Sequence, residues 1–297
     1  LERSRDLPAA VGDASPLALS LNALVSVLCY KDEYGTAEAP ALEALELTRT
    51  LPGGVSQRIT ALEHLARIRN AGGDYAEAAR LNREALALHR ARYGERHPAQ
   101  IATLNNLGLD LRRLEELDAA QRAYEEAAEL QKANFGPQSA DPYLLNNLAS
   151  VHLSREDYAG AEALFREGLA RVREIDPEHW MIFHFGLRVG QAQTLAGRAE
   201  AAEVGLRELL AAWRLRLGDH WRIAEGESIL GECLSAQGRC AEAAPLLEGS
   251  FERLASRAKD RTRRDAFDRL ERHLGRCGGL EELPRFAAML EKESSGT

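Results

Sequence analysis

Three ladders of residues recur along this chain in a single phase. Aligned on an apolar turn position, the first runs Tyr34, Tyr75, Leu117, Tyr158, Ala199, Cys240 and Leu280, in steps of 41, 42, 41, 41, 41 and 40 residues. Ten residues before each rung stands Leu24, Leu65, Leu107, Leu148, Val189, Leu230 or Leu270. Three residues after it stands Ala37, Ala78, Ala120, Ala161, Ala202, Ala243 or Leu283. A period in the range of roughly 20–50 residues marks a repeated supersecondary unit that cannot bury its apolar faces alone, so neighbours must stack.

Each unit reads as two helices around a tight turn. The first helix carries the Leu ladder followed by a small residue, Ala66, Gly108, Ala149, Gly190 or Gly231, which lets the second helix approach closely. The second presents Ala120, Tyr124 and Ala127, or Ala161, Phe165 and Gly168, at helical spacing. Gly94, Gly136 and Gly218 fall where a helix end needs a left-handed residue. Asp118 and Asp157 stand in turns, where a short acceptor can cap the next helix. Leu, Ala, Glu and Arg dominate and aromatics reach only 6%, a helical composition. The expected fold is all-α, a right-handed superhelix of seven helical hairpins over residues 16–290. Residues 1–15 and 291–297 carry no ladder and are expected to fray. The irregular acidic turn Lys31–Gly35, and Glu271 with Pro284 in the last unit, read as caps of the stack.

The formal charge of −8 argues against nucleic acid or an anionic membrane as partner. The longest apolar run, Pro16 to Cys29, is broken by Ser20, Asn22 and Ser26 and is too short to span a bilayer. It also lacks the basic start and cleavage site of a signal peptide. Cys29, Cys233, Cys240 and Cys277 are scattered without a CxxC and read as reduced thiols in a cytoplasmic protein. A start at Leu1 is what a piece of a longer chain would show.

The segments Ala102–Gly108 (ATLNNLG) and Leu144–Ala149 (LLNNLA), with turns such as Gly73–Ala78 (GDYAEA), resemble the tetratricopeptide repeat. The long period and the linker Tyr93–Pro98 (YGERHP) are similar to the repeats of kinesin light chains. Leu217–Trp221, Gly231 and Gln237–Leu247 also resemble the carboxy-terminal repeat domains of large bacterial serine/threonine kinases and regulators, although no glycine-rich loop, HRD or DFG occurs here.

His179, His184 and His220 with Cys233 and Cys240 suggest a metal at first sight. But His97, His179 and His220 each lie ten residues before a Leu rung, one per corner, so they read as a structural device and no metal or other cofactor is expected. The Arg-rich segment Arg257–Arg276 is interleaved with Asp260, Asp265, Asp268 and Glu271 and reads as a solvated helix face. No nucleophile–base constellation, P-loop or HExxH occurs, so the chain is expected not to be an enzyme.

The resemblance implies that the first helices line a concave groove. The positions two before, two after and five after each Leu rung then face it: Glu63, Arg67 and Asn70; Asn105, Leu109 and Arg112; Asn146, Ser150 and Leu153; Leu187, Gln191 and Thr194; Ser228, Glu232 and Ser235. Arg113 lies beside Arg112, and Tyr143 and His184 lie one turn earlier in their units. By the resemblance, Asn105 and Asn146 pair with the backbone of an extended peptide, an amide being both donor and acceptor. Arg67, Arg112 and Arg113 favour an acidic side chain or a C-terminal carboxylate. The expected function is a non-catalytic scaffold that binds a protein or peptide in units two to four, as the docking or sensing domain of a bacterial signalling protein. Two alternatives keep the fold: a self-association module forming a homodimer, and a ligand-gated domain taking a small molecule or signalling peptide.

Overall fold

The computed structural model describes residues 14–49, 51, 53–136, 139–256 and 260–294. Of the segments expected to fray, residues 1–13 and 295–297 lie outside the described residues; helix backbone is present at 14–15 and 291–294. Among the described residues the regular structure is all helical. The helices are α1 (Ala14–Tyr30), α2 (Tyr34–Arg49), α3 (Val55–Ala71), α4 (Tyr75–Tyr93), α5 (Gln100–Arg113), α6 (Leu117–Phe135) and α7 (Pro142–Ser154). They continue as α8 (Tyr158–Ile175), α9 (Met181–Leu195), α10 (Ala199–Leu217), α11 (Trp221–Ala236), α12 (Cys240–Ala255), α13 (Asp260–Cys277) and α14 (Leu283–Ser294), with one 3-10 turn at Leu280–Glu282.

The turn ladder marks the start of a second helix in every unit, as the first residue of α2, α4, α6, α8, α10 and α12 and of the 3-10 turn before α14. Two residues before each rung the backbone is left-handed. Glycine fills that position in four units, at Gly73, Gly197, Gly238 and Gly278, and Asp32, Glu115 and Glu156 fill it in the others at φ near +60°. The turn of the first unit therefore has the same geometry as the rest, and its acidic residues do not make it irregular. Asp74 and Asp157 cap α4 and α8 by accepting from the N–H of Glu77 and Gly160. Asp118 is not at the N-cap position: it is the second residue of α6, in its first turn, and the N-cap is Glu116. Gly94 and Gly136 end α4 and α6 at φ +85° and +94° with extended ψ, a region open essentially to glycine alone.

The chain divides into two compact units, Leu1–Val151 and His152–Thr297, with the boundary inside α7. In the first unit α2 and α4 each pack on both their own first helix and the next one, α6 packs on α5, and α3 also meets α1 and α5. The first helices are thus the more closely spaced layer. The alanine rungs Ala37, Ala78 and Ala120 are fully buried. Gly108 lets the hairpin close: a Cβ there would sit 2.6 Å from the Tyr124 ring.

The second unit follows the same rule, with α9, α11 and α13 adjoining. A Cβ at Gly190 or Gly231 would meet Leu206 or Leu247 at 2.6 Å. Phe165, Phe183, Phe185, Phe251 and Phe286 are buried in its core. Cys240 and Cys277 form a disulfide with Cα atoms 5.7 Å apart, whereas Cys29 and Cys233 are free and buried. The reading of four reduced thiols is corrected for this pair. Helix α13 packs on α11 and α12, which brings its last residue to the α11–α12 turn across 37 residues of sequence. The inference from thiols to a reducing compartment loses its basis with them. Among the described residues no helix is long and apolar enough to cross a membrane.

Candidate partner-binding surface

In the first unit the residues expected to face a groove lie on α3, α5 and the start of α7. Arg67, Arg113 and Tyr143 are exposed there, and Asn105, Leu109, Arg112, Asn146 and Ser150 are half-buried. Among the described residues none of Arg67, Arg112 and Arg113 pairs with a carboxylate; Arg113 lies 5.7 Å above the Tyr75 ring. Elsewhere in the unit arginines are tied down, as in Arg58–Glu84 and Arg69–Glu38 at 2.6 Å and Arg90–Glu126 at 2.5 Å. Burial, with Arg67 adding to it, lowers the imidazole of His64 to about 4, so it is neutral at physiological pH. The surface therefore carries uncompensated positive charge.

The two asparagines of the repeat serve different ends. Asn147 Nδ2 donates to Asn105 Oδ1 at 3.0 Å, joining consecutive first helices. That bond fixes the Asn105 amide, and among the described residues its own Nδ2 has no partner. Ser150 Oγ donates to the Asn146 carbonyl at 2.8 Å, within α7. Asn70 is spent internally: its Nδ2 donates to Asp110 Oδ1 at 2.5 Å, and Asn82 Nδ2 donates to Asp110 Oδ2 at 2.7 Å. Burial outweighs these two donors and raises Asp110 to about 6. Glu63 also faces inward, accepting from Thr103 and lying 3.2 Å from His89 Nε2.

In the second unit the expected groove face is closed. Leu187, Gln191, Thr194, Ser228, Glu232 and Ser235 are all buried, and the exposed placement expected for them is corrected. The cause is close helix approach: a Cβ at Gly226 would meet Leu210 of α10 at 2.7 Å and Leu187 of α9 at 3.1 Å, and α13 also packs on α11. Gln191 accepts from Arg188 at 2.7 Å instead of facing a groove. His184 is half-buried, its ring 6.1 Å from that of Trp180 and 5.9 Å from that of Phe185.

A polar network replaces the groove. Arg269, expected on a solvated face, is 1% exposed. Its Nη1 donates to Ser228 Oγ at 3.3 Å, and its Nε stands 3.5 Å from Glu232 Oε2. Arg272 donates to the same carboxylate from Nη2 at 2.6 Å and from Nε at 3.1 Å. The link from Arg269 to Ser228 has the register of the Asn147–Asn105 bond: the residue before one Leu rung donates to the residue two before the preceding rung. Neither the burial of Arg269 nor that of Asp110 was visible in the sequence, because both sit among polar residues on helices with exposed neighbours.

The corner histidines act as the phase suggests. His97, His179 and His220 each accept, through Nδ1, the N–H of the residue two further on, at 3.2, 3.2 and 3.3 Å. Among the described residues no group of three or more His, Cys, Asp or Glu side chains is placed to hold a metal ion.

Models of the tetratricopeptide repeat match residues 57–133 and 143–175. These residues carry tetratricopeptide repeats. A clustered mitochondria protein homolog of Aspergillus niger is 28% identical over 159 residues, which cover 52% of this chain and 13% of that protein. The chain thus matches only a small part of that relative's length. Among solved structures, the putative kinesin light chain of Podosopora anserina is 19% identical, with a TM-score of 0.59 over 67% of this chain and 95% of that one. BtubC (BKLC) from P. vanneervenii is 20% identical, with a TM-score of 0.60 over 70% of this chain and 84% of that one. NprR in complex with its cognate peptide NprX is 11% identical, with a TM-score of 0.64 over 94% of this chain and 78% of that one. At these identities the likeness is one of fold. A tetratricopeptide fold suits a scaffold for proteins or peptides.

Proposed function

We propose that this tetratricopeptide domain is a non-catalytic docking module that binds an acidic segment of a protein or peptide on the α3–α5–α7 face of its first unit. The observation that carries the reading is Asn105, whose amide is held by Asn147 with its N–H₂ unpaired among the described residues, on helices that also carry arginines with no carboxylate partner among those residues. A fixed amide donor reads a backbone carbonyl of any sequence, and unpaired guanidinium groups select carboxylates, including a C-terminal one. The shared fold of NprR, which was solved with its peptide NprX, is consistent with this use. The likeness of Leu217–Leu247 to kinase-associated repeats supports placing the module in a larger bacterial signalling protein.

An array of short peptides tests the reading, comparing acidic with neutral sequences and free carboxyl ends with amidated ones. Acidic peptides should be retained, and Arg67→Ala with Arg112→Ala should weaken retention by about tenfold or more. Asn105→Ala should weaken every retained peptide alike. Equal retention of acidic and neutral peptides, or binding indifferent to these substitutions, overturns the proposal.

A further inference from the structure

One cavity of the second unit is lined by more cationic than anionic side chains. A cavity of about 140 Å³ between the end of α9, α11 and α13 has Arg269, Arg272, Arg276, His273, Ser235 and Glu232 in its lining. Three guanidinium groups of the lining thus face one lining carboxylate, with Asp265 and Glu225 acting on Arg269 from outside it. Glu232 is divided between Arg269 and Arg272, and among the described residues Arg276 has no ion pair. Arg269 is 1% exposed and its Nε has no hydrogen-bond partner. An arginine keeps its charge, and a buried cation with an incomplete partner set is costly. A second anion in the cavity would supply what Glu232 alone does not.

The rest of the wall suits the same occupant. Ser235 Oγ lies 3.0 Å from His273 Nδ1, so the pair offers uncharged hydrogen-bonding groups beside the arginines. Burial holds His273 below its usual value, so it adds no fixed charge at neutral pH. The disulfide from Cys277 to Cys240 anchors the end of α13 that carries Arg276. Asp265, Asp268 and Glu271 lie on the same helix outside the cavity lining, and of these Asp265 acts on Arg269.

We infer that this cavity is a binding site for a small oxyanion, a carboxylate or phosphate group gripped by Arg269, Arg272 and Arg276 with Ser235 and His273 at its edge. Guanidinium forks match both groups in geometry. The site lies wholly within the second unit and does not depend on the peptide surface of the first.

Thermal unfolding of the full chain in sodium phosphate and in sodium glutarate, with chloride adjusted to constant ionic strength, tests it. A saturable rise in Tm is expected with at least one anion: saturation by phosphate alone assigns a phosphoryl group, by glutarate alone a carboxylate. Arg272→Gln with Arg276→Gln should weaken the apparent affinity about tenfold or more. Arg276→Gln alone serves should the double variant not fold. The control pair Arg264→Gln and Arg285→Gln removes equal charge outside the cavity and should leave the affinity unchanged. A response no larger than that to chloride overturns the inference, as does one that persists in the cavity variants or falls equally in the control.

Discussion

Replacing Asp110 with Asn should stabilise the first unit at neutral pH, although it removes a carboxylate that accepts two hydrogen bonds. Asp110 is 1% exposed, and burial raises it from 3.8 to about 6. A carboxyl whose folded pKa is raised binds its proton more tightly in the folded state. Its contribution is therefore fully present below pH 4 and is lost as pH rises through about 6. Above that range the folded protein holds an unfavourable charge costing at most about 3 kcal/mol, from a shift of roughly two units at 1.36 kcal/mol each. The amide removes this cost at the loss of two charge-assisted bonds. The geometry provides a replacement: Asn82 Oδ1 is buried with no partner, so a flipped Asn82 amide can accept from the N–H₂ that the Asp110→Asn substitution introduces. The net gain at neutral pH should be about 1–2 kcal/mol. Urea midpoints of both proteins between pH 4 and 7.5 measure it. The curves should diverge by roughly 2 kcal/mol as pH rises, the amide variant being the more stable at the upper end. Parallel curves would refute the burial argument, and a loss above about 2 kcal/mol at neutral pH would show that the charged form is the favoured one.

Three further outcomes follow from the same structure. Glu115→Gly and Glu156→Gly relieve left-handed backbone at φ +62° and +61°, and each should raise stability by about 0.5 kcal/mol, visible as a higher Tm. Gly108→Ala drives a Cβ to 2.6 Å from the Tyr124 ring and should cost about 1–3 kcal/mol in a denaturant titration, whereas Gly205→Ala, with open space around it, should stabilise α10 slightly. Reducing Cys240–Cys277 opens a cross-link spanning 37 residues and should lower the stability of the second unit by up to about 4 kcal/mol, read by thermal unfolding with and without reductant.

Local signals reported local structure well. The turn rung marked the first residue of six second helices to the residue, because a tight turn with a left-handed residue two positions earlier admits few alternatives. The corner histidines were legible for the same reason: an imidazole accepting from an N–H two residues on is a short-range bond repeated at each corner. Burial on the first helices was not legible. A residue two positions from a Leu rung points the same way in every unit, yet Asn105 is half-exposed and Ser228 is fully buried. Gly226 and Gly231 let α9, α10 and α12 close on α11, and Gly186 and Gly190 let α10 close on α9; no single helix's pattern reveals how near its neighbours come.

The sequence by itself determined the all-α class, the hairpin period, the turn positions and the alanine seams, since these depend on periodicity and on residues a few positions apart. Tertiary structure alone decided which arginines are solvated and which are buried. It placed Arg269 and Glu232, from different hairpins, in one polar core while giving Arg67 and Arg112 no carboxylate partner among the described residues. It also joined Cys240 to Cys277. Those outcomes depend on the distance between helices that are far apart in sequence, and that distance is set by the packing of whole faces.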